Sequence, residues 1–214
     1  MFSPSHSARI AALAALIAST GDLLLLYIGN SQRAEFALPQ IGEGWLWLGG
    51  MLGACAIPFY ALGYRAVSEW IAPLSRRAAQ ALFVSGIIGS LLGAVIHALT
   101  AAYIGASLHR GVVSEDPLKA ILQSGPLLLS LWGLAALLIL FASVLFLWYV
   151  GSGRTAAPRA LALANPAFLT LALGAAGSPS ILLRAFLTPA APNLAHVIFF
   201  ILCSHWLDQR GRSL

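Results

Sequence analysis

The chain has 214 residues, of which 59% are hydrophobic and only 9% charged, and its mean hydropathy is +0.86. Soluble domains carry about 25% charged residues, so this composition excludes an ordinary soluble enzyme and predicts a surface solvated by lipid. The net charge of +5 does not indicate nucleic-acid binding, because the basic residues occur singly or in pairs and form no patch. We expect one all-α, polytopic membrane domain covering residues 1–214 and no nucleic-acid partner.

Six apolar runs, each near the roughly 20 residues needed to cross a bilayer, follow one another along the chain. In chain order they cover residues 9–29, 44–64, 79–107, 121–150, 160–177 and 193–207. The fifth run is the weakest, because Asn165 and Pro166 interrupt it and predict a kink. A short helix then covers residues 178–186, and we expect Pro189 and Pro192 to end it before the last span begins.

The first run also has the outline of a signal peptide, with Arg9 before the apolar stretch and Ser19, Thr20 and Gly21 after its first part. The apolar character continues through residues 23–28, which gives the full length of a membrane span. We therefore expect an uncleaved first helix.

The distribution of Lys and Arg predicts the orientation in the membrane. Eight of the twelve lie at the two termini or in the second and fourth loops: Arg9, Arg65, Arg76, Arg77, Arg154, Arg159, Arg210 and Arg212. The opposite side holds Arg33, Arg110, Lys119 and Arg184. The positive-inside rule therefore places both termini in the cytoplasm, in a cell membrane that we expect to be a bacterial inner membrane.

The sequence contains no phosphate-binding loop, dinucleotide fingerprint, HExxH motif or nucleophile elbow. Cys55 and Cys203 lie inside apolar runs and show no metal-ligand spacing. We therefore expect neither a cofactor nor a metal site.

Asp22 is the only acidic residue placed well inside a predicted span, where a charge costs roughly 3 kcal/mol on insertion scales. Ser19, Ala15 and Ala18 share its helix face, so this face is expected to point into the bundle. The structural alternative is a hydrogen-bonded Asp that locks two helices together.

His97 follows a stripe of small residues at helical spacing, formed by Gly86, Gly89, Ser90 and Gly93. Small residues let helices approach closely, so we expect His97 to face protein. A buried His satisfied by one neighbour is the structural alternative. Asn193 and His196, three residues apart, share a face of the last helix.

Depth suggests that these residues form one site. At about 1.5 Å per residue from the predicted helix ends, Asp22, His97 and His196 all fall in the half of the bilayer away from the cytoplasm. Further residues at similar or slightly more external levels are candidate substrate-binding residues: Tyr27, Tyr103, Ser124, Arg184 and Asn193, with Trp132 just below them. Tyr60 and Asn165 lie toward the cytoplasmic half, and we expect them outside this site.

These residues are typical of cofactor-free acid-base chemistry on a lipophilic small molecule, such as isomerisation or cyclisation. In this hypothesis Asp22 is the general acid, His97 and His196 serve as base or proton relay, and Asn193 or Arg184 orients the substrate. A proton-coupled transporter would use the same residues as its protonation path. A b-type haem protein would use His97 and His196 as axial ligands, and a packing subunit would have no chemistry.

Overall fold

The computed structural model describes residues 2–31, 42–109, 126–177 and 180–212, and it contains helices but no strands in these ranges. The α-helices are α1 (Pro4–Ser31), α2 (Gly44–Ala56), α3 (Tyr60–Ile71), α4 (Arg76–His109), α5 (Pro126–Gly151), α6 (Pro166–Gly177) and α7 (Ile181–Arg212). Five stretches of the described chain are long and apolar enough to cross a membrane: Pro4–Leu25, Gly44–Ile71, Arg76–Ala106, Pro126–Gly151 and Ala190–Gln209. The predicted all-α membrane bundle is confirmed.

The second span is broken near its middle and extends further than predicted. A short 3₁₀ turn, Ile57–Phe59, joins α2 to α3, and it contains Pro58, which cannot donate a backbone hydrogen bond. The span runs on to Ile71 instead of ending at residue 64. Tyr60 therefore lies about 17 Å from the end of the span, at about 1.5 Å per residue, and not close to that end.

The fifth span begins as a 3₁₀ segment, Arg159–Ala164, and continues as α6. Asn165 starts α6, because its Oδ1 accepts a hydrogen bond from the Phe168 N–H at 2.9 Å while its Nδ2 donates to the Ala162 carbonyl at 2.8 Å. The kink predicted at Asn165 and Pro166 is therefore the point where α6 begins, with Asn165 as its N-terminal cap. The 12 residues of α6 cover about 18 Å and are short for a span, and Asn165, whose backbone is extended, separates α6 from the 3₁₀ segment before it.

The last helix corrects the prediction for the C-terminal region. Pro189 and Pro192 lie inside α7, which continues without a break from Ile181 to Arg212. Prolines are tolerated within membrane helices because neighbouring groups can satisfy the backbone that they leave unpaired. The separate helices expected over residues 178–186 and 193–207 are therefore one helix as far as the structure describes them.

Helix α1 packs against α2, α3 and α7, while α4 packs against α2 and α3 on one side and α5 on the other. Small residues permit the closest of these approaches. A Cβ added to Gly21 would lie 2.6 Å from the carbonyl oxygen of Gly49, so α1 and α2 nearly touch through their backbones. This crossing lies directly beside Asp22.

An ion pair between Arg9 and Asp208 joins the start of α1 to the end of α7. His109 and Glu43 lie 3.2 Å apart where α4 ends and α2 begins. The Arg9–Asp208 pair puts the two ends of the bundle on the same side of the membrane, which requires an even number of crossings. We expect the segment formed by the second 3₁₀ stretch and α6 to supply a sixth crossing beside the five spans above.

Candidate functional site

The Asp22 carboxylate joins three helices through two hydrogen bonds. Its Oδ1 lies 2.8 Å from Nε2 of His97 on α4, and its Oδ2 accepts a hydrogen bond from Nδ2 of Asn193 on α7 at 2.7 Å. The Asp22 side chain is only 15% exposed and that of His97 only 6%. Both carboxylate oxygens are thus satisfied, which is how a bundle can hold an acidic side chain away from water.

Tyr60 extends this network from α3. Its hydroxyl donates to Oδ1 of Asn193 at 2.8 Å, so the Asn193 amide bridges Tyr60 and Asp22. The Tyr60 ring also stacks on the imidazole of His196, with ring centroids 4.8 Å apart. The two histidines are therefore linked through Tyr60, Asn193 and Asp22.

The hydrogen bonds of His196 determine its tautomer. Nδ1 lies 2.7 Å from the carbonyl oxygen of Pro192, which can only accept, so Nδ1 carries the proton. Nε2 then accepts a hydrogen bond from the Tyr64 hydroxyl at 2.8 Å. Because both ring nitrogens are occupied, His196 contacts the Asp22 network through ring stacking and not through a proton path.

The His97 imidazole is held flat against α2. A Cβ on Gly53 would lie 2.2 Å from Nδ1 of His97, so only a glycine leaves space for the ring. Nδ1 is buried and has no hydrogen-bond partner among the described residues. A buried N–H without an acceptor is costlier than a free lone pair, so the hydrogen belongs on Nε2, which donates it to Asp22.

A cavity of about 450 Å³ lies beside this network, within the ~300–1,000 Å³ typical of small-molecule sites. Asp22, Tyr60, His97, Asn193 and His196 form its polar wall. The remaining wall is mostly apolar and comes from α4, α5 and α6, as in Gly89, Gly93, Ile96, Trp132, Ala136, Leu140, Ala167 and Leu171. The small-residue stripe on α4 therefore contributes cavity space as well as close helix packing.

The structure brings five of the predicted site residues to this cavity: Asp22, Trp132, His97, Asn193 and His196. Of the other four, two are described and lie elsewhere, and the structure does not describe the side chains of the remaining two. Tyr27 and Tyr103 are half-buried and are not among the described residues that line the cavity, and Tyr103 packs instead against a cluster that includes Leu128. Ser124 lies outside the described residues, and so does the side chain of Arg184.

Tyr60 and Tyr64 are the residues that sequence reasoning missed. Tyr60 was expected outside the site, since the predicted end of the second span placed it near the cytoplasm. The observed span ends seven residues later, which moves Tyr60 to the depth of Asp22. The two tyrosines are four residues apart on one face of α3, and they meet Asn193 and His196, which are three apart on one face of α7. The matched spacing of these two pairs is the feature of the sequence that could have identified Tyr60 and Tyr64 as site residues.

The fold and site define a multi-pass helical membrane protein with a polar network beside a mainly apolar cavity. Residues 1–209 match a family of unknown function, DUF6796, and the chain belongs to that family. No curated protein and no solved structure matches the chain significantly. The described residues also contain no cluster of three or more His, Cys, Asp or Glu side chains suited to a metal ion.

Proposed function

We propose that this protein is a membrane-embedded isomerase that moves a proton within a lipophilic small molecule, with Asp22 as the proton-transferring group. The observation that supports this most directly is the Asp22 carboxylate at the wall of a mainly apolar cavity, hydrogen-bonded on both oxygens by His97 and Asn193. We place the protein in a cell membrane with both termini in the cytoplasm.

The hydrogen-bond pattern favours Asp22 as the base that acts first. Its carboxylate removes a proton from an activated carbon of the substrate, and the C–H electron pair forms a new double bond as the old one shifts. The Asp22 carboxyl group exchanges its proton with water before the second transfer, and it then delivers a proton to the carbon at the other end of the shifted system. Atoms and electrons balance without a cofactor, and Asp22 acts as the general acid in the second half.

The other residues of the network have supporting roles in this proposal. The Nε2–H of His97 stabilises the Asp22 carboxylate between the two proton transfers, and Asn193 fixes its orientation. Tyr60 and His196 are positioning residues, since Tyr60 holds Asn193 and His196 stacks on Tyr60. The roles of base and relay first expected for the two histidines thus become stabilisation and positioning.

The experiment detects the proton transfer without knowledge of the substrate. Purified protein in lipid nanodiscs is incubated in D₂O with a total lipid extract from the source cells, and the lipids are returned to H₂O before mass spectrometry. Hydroxyl and amine deuterons wash out, whereas deuterium transferred to carbon remains. We expect a lipophilic species to gain carbon-bound deuterium with the wild-type protein and not with D22N.

A matched control is E69Q, because Glu69 is an exposed acid paired with Arg65 at 2.7 Å, away from the cavity wall. E69Q should support the same incorporation as the wild type. No Asp22-dependent incorporation at carbon would overturn the isomerase proposal. If D22N instead abolished proton movement across sealed vesicles, the transporter would take its place.

A further inference from the structure

Among the residues that the structure describes, the cavity wall is incomplete between α5 and α6. Helix α5 packs mainly against α4, whereas α6 packs mainly against α7, and α5 and α6 touch each other only sparsely. Leu140 on α5 and Leu171 on α6 line the cavity, yet they are 50% and 73% exposed. Side chains enclosed within a sealed cavity would not be exposed to this degree, so these two flank an opening.

The opening faces the interior of the bilayer. Leu140 lies about 21 Å along α5 from Pro126 and about 17 Å from Gly151, at about 1.5 Å per residue. Because the hydrocarbon core is about 30 Å thick, this position lies well within it and away from the headgroups. The surface around the opening is apolar, whereas Asp22, His97 and Asn193 lie on the inner helices α1, α4 and α7.

We propose that the gap between α5 and α6 is a lateral entrance through which a membrane-dissolved substrate reaches Asp22 directly from the hydrocarbon core. This inference rests on the proposed function and names its substrate class: an elongated lipid with its reactive segment at Asp22 and its hydrocarbon tail leaving between Leu140 and Leu171. Such a molecule never has to pass through water, and the polar network meets only the end that reacts.

The entrance is tested with a long-chain hydrocarbon probe that carries a photoreactive diazirine, dissolved in nanodiscs containing the full-length protein. After illumination, adducts are mapped by peptide mass spectrometry. Ile57 and Tyr60 are only 4% and 2% exposed and line the cavity, so a probe in the bilayer reaches them only through it. We expect adducts at these residues in the wild type.

The double variant L140W/L171W adds bulk on both sides of the gap while keeping it apolar. We expect it to lose the adducts at Ile57 and Tyr60 but to keep those on the outer face of the bundle. The matched control is L137W, because Leu137 is 64% exposed on α5 but is not among the residues lining the cavity. L137W should be labelled like the wild type.

Two results would overturn the entrance: no labelling of Ile57 and Tyr60 in the wild type, or unchanged labelling of both in L140W/L171W. Failure of the entrance and failure of the isomerase are distinguishable. If the entrance exists but Asp22 has no chemistry, D22N and the wild type are labelled alike and neither incorporates deuterium. If substrates arrive from water, deuterium incorporation persists in L140W/L171W, and a short, water-soluble diazirine labels the cavity in that variant too.

Discussion

Gly53 and His97 are in direct contact, because the imidazole lies against the α2 backbone where Gly53 has no side chain. The Cβ of an alanine at this position would overlap the ring. We expect Gly53→Ala to displace His97 from Asp22 and to lower the free energy of unfolding by roughly 1–3 kcal/mol, the usual cost of overpacking. Thermal unfolding in detergent measures this change.

The control for that variant is Gly174→Ala on α6, since a Cβ added to Gly174 meets nothing within 4 Å. Replacing glycine by alanine within a helix is favourable by about 1 kcal/mol when there is space. Gly174→Ala should therefore be neutral or stabilising. Equal destabilisation by both substitutions would show that the His97 contact is not what makes Gly53 necessary.

Asp22 and His97 should be energetically coupled. Residues in one hydrogen-bond network show coupling energies of about 0.5–3 kcal/mol, whereas independent sites add to within about 0.5 kcal/mol. We expect a double-mutant cycle of Asp22→Asn and His97→Ala, read out by unfolding free energy, to be clearly non-additive. The same cycle of Asp22→Asn with Arg154→Ala should be additive, because Arg154 lies over the Trp148 ring at the end of α5. Additivity in both cycles would mean that Asp22 and His97 are separate packing contacts.

Substitutions of Tyr60 and Tyr64 distinguish a hydrogen bond that is needed for activity from one that is needed only for stability. Tyr60→Phe leaves Oδ1 of Asn193 without its donor, and Tyr64→Phe does the same to Nε2 of His196. Each should cost about 1–3 kcal/mol of stability, the penalty for an unsatisfied buried group. Only Tyr60→Phe should also reduce deuterium incorporation, because Asn193 orients Asp22. Equal loss of incorporation in both variants would remove the special role of Tyr60.

The sequence predicted the helical membrane architecture well, because apolar length is a strong signal and the cost of exposing backbone to lipid leaves helices as the natural solution. It predicted helix ends poorly. Pro189 and Pro192 would end a helix in water, but inside a bundle they do not, and this merged the last two predicted helices. The second span was too short in the prediction because Arg65 and Glu69, which pair with each other on α3, resemble a loop in composition.

These boundary errors account for the errors at the site. Depth counting placed Asp22, His97 and His196 at one level, and all three line the same cavity. Their membrane-spanning stretches, Pro4–Leu25, Arg76–Ala106 and Ala190–Gln209, begin and end within about five residues of the predicted bounds. It misplaced Tyr60, whose depth depended on the end of the second span. Tyr103 shows a second limit, because equal depth does not specify which way a side chain points around its helix.

The haem hypothesis has a direct spectroscopic test. In both histidines Nε2 is engaged, with Asp22 in the case of His97 and with Tyr64 in the case of His196. Iron ligation at these atoms would require both hydrogen bonds to break. We therefore expect protein purified from haem-sufficient cells to show no Soret absorption band, and a Soret band that is lost in His97→Ala would contradict this prediction.

The topology prediction depends on the composite fifth span. If residues 159–177 cross the membrane, the loop around Thr155 is cytoplasmic, Ser180 is external, and the chain returns to the cytoplasm through α7. Cysteine accessibility tests each position, using Ser180→Cys and Thr155→Cys in a background where the exposed Cys55 is replaced by Ser. We expect a membrane-impermeant maleimide to label S180C in intact cells and T155C only after lysis. A reporter fused after Leu214 should be active only in the cytoplasm, because the Arg9–Asp208 pair ties the start of α1 to the end of α7, where the sequence also carries Arg210 and Arg212. External labelling of T155C would reverse the orientation, whereas protection of both cysteines in intact cells would show that the fifth segment does not cross.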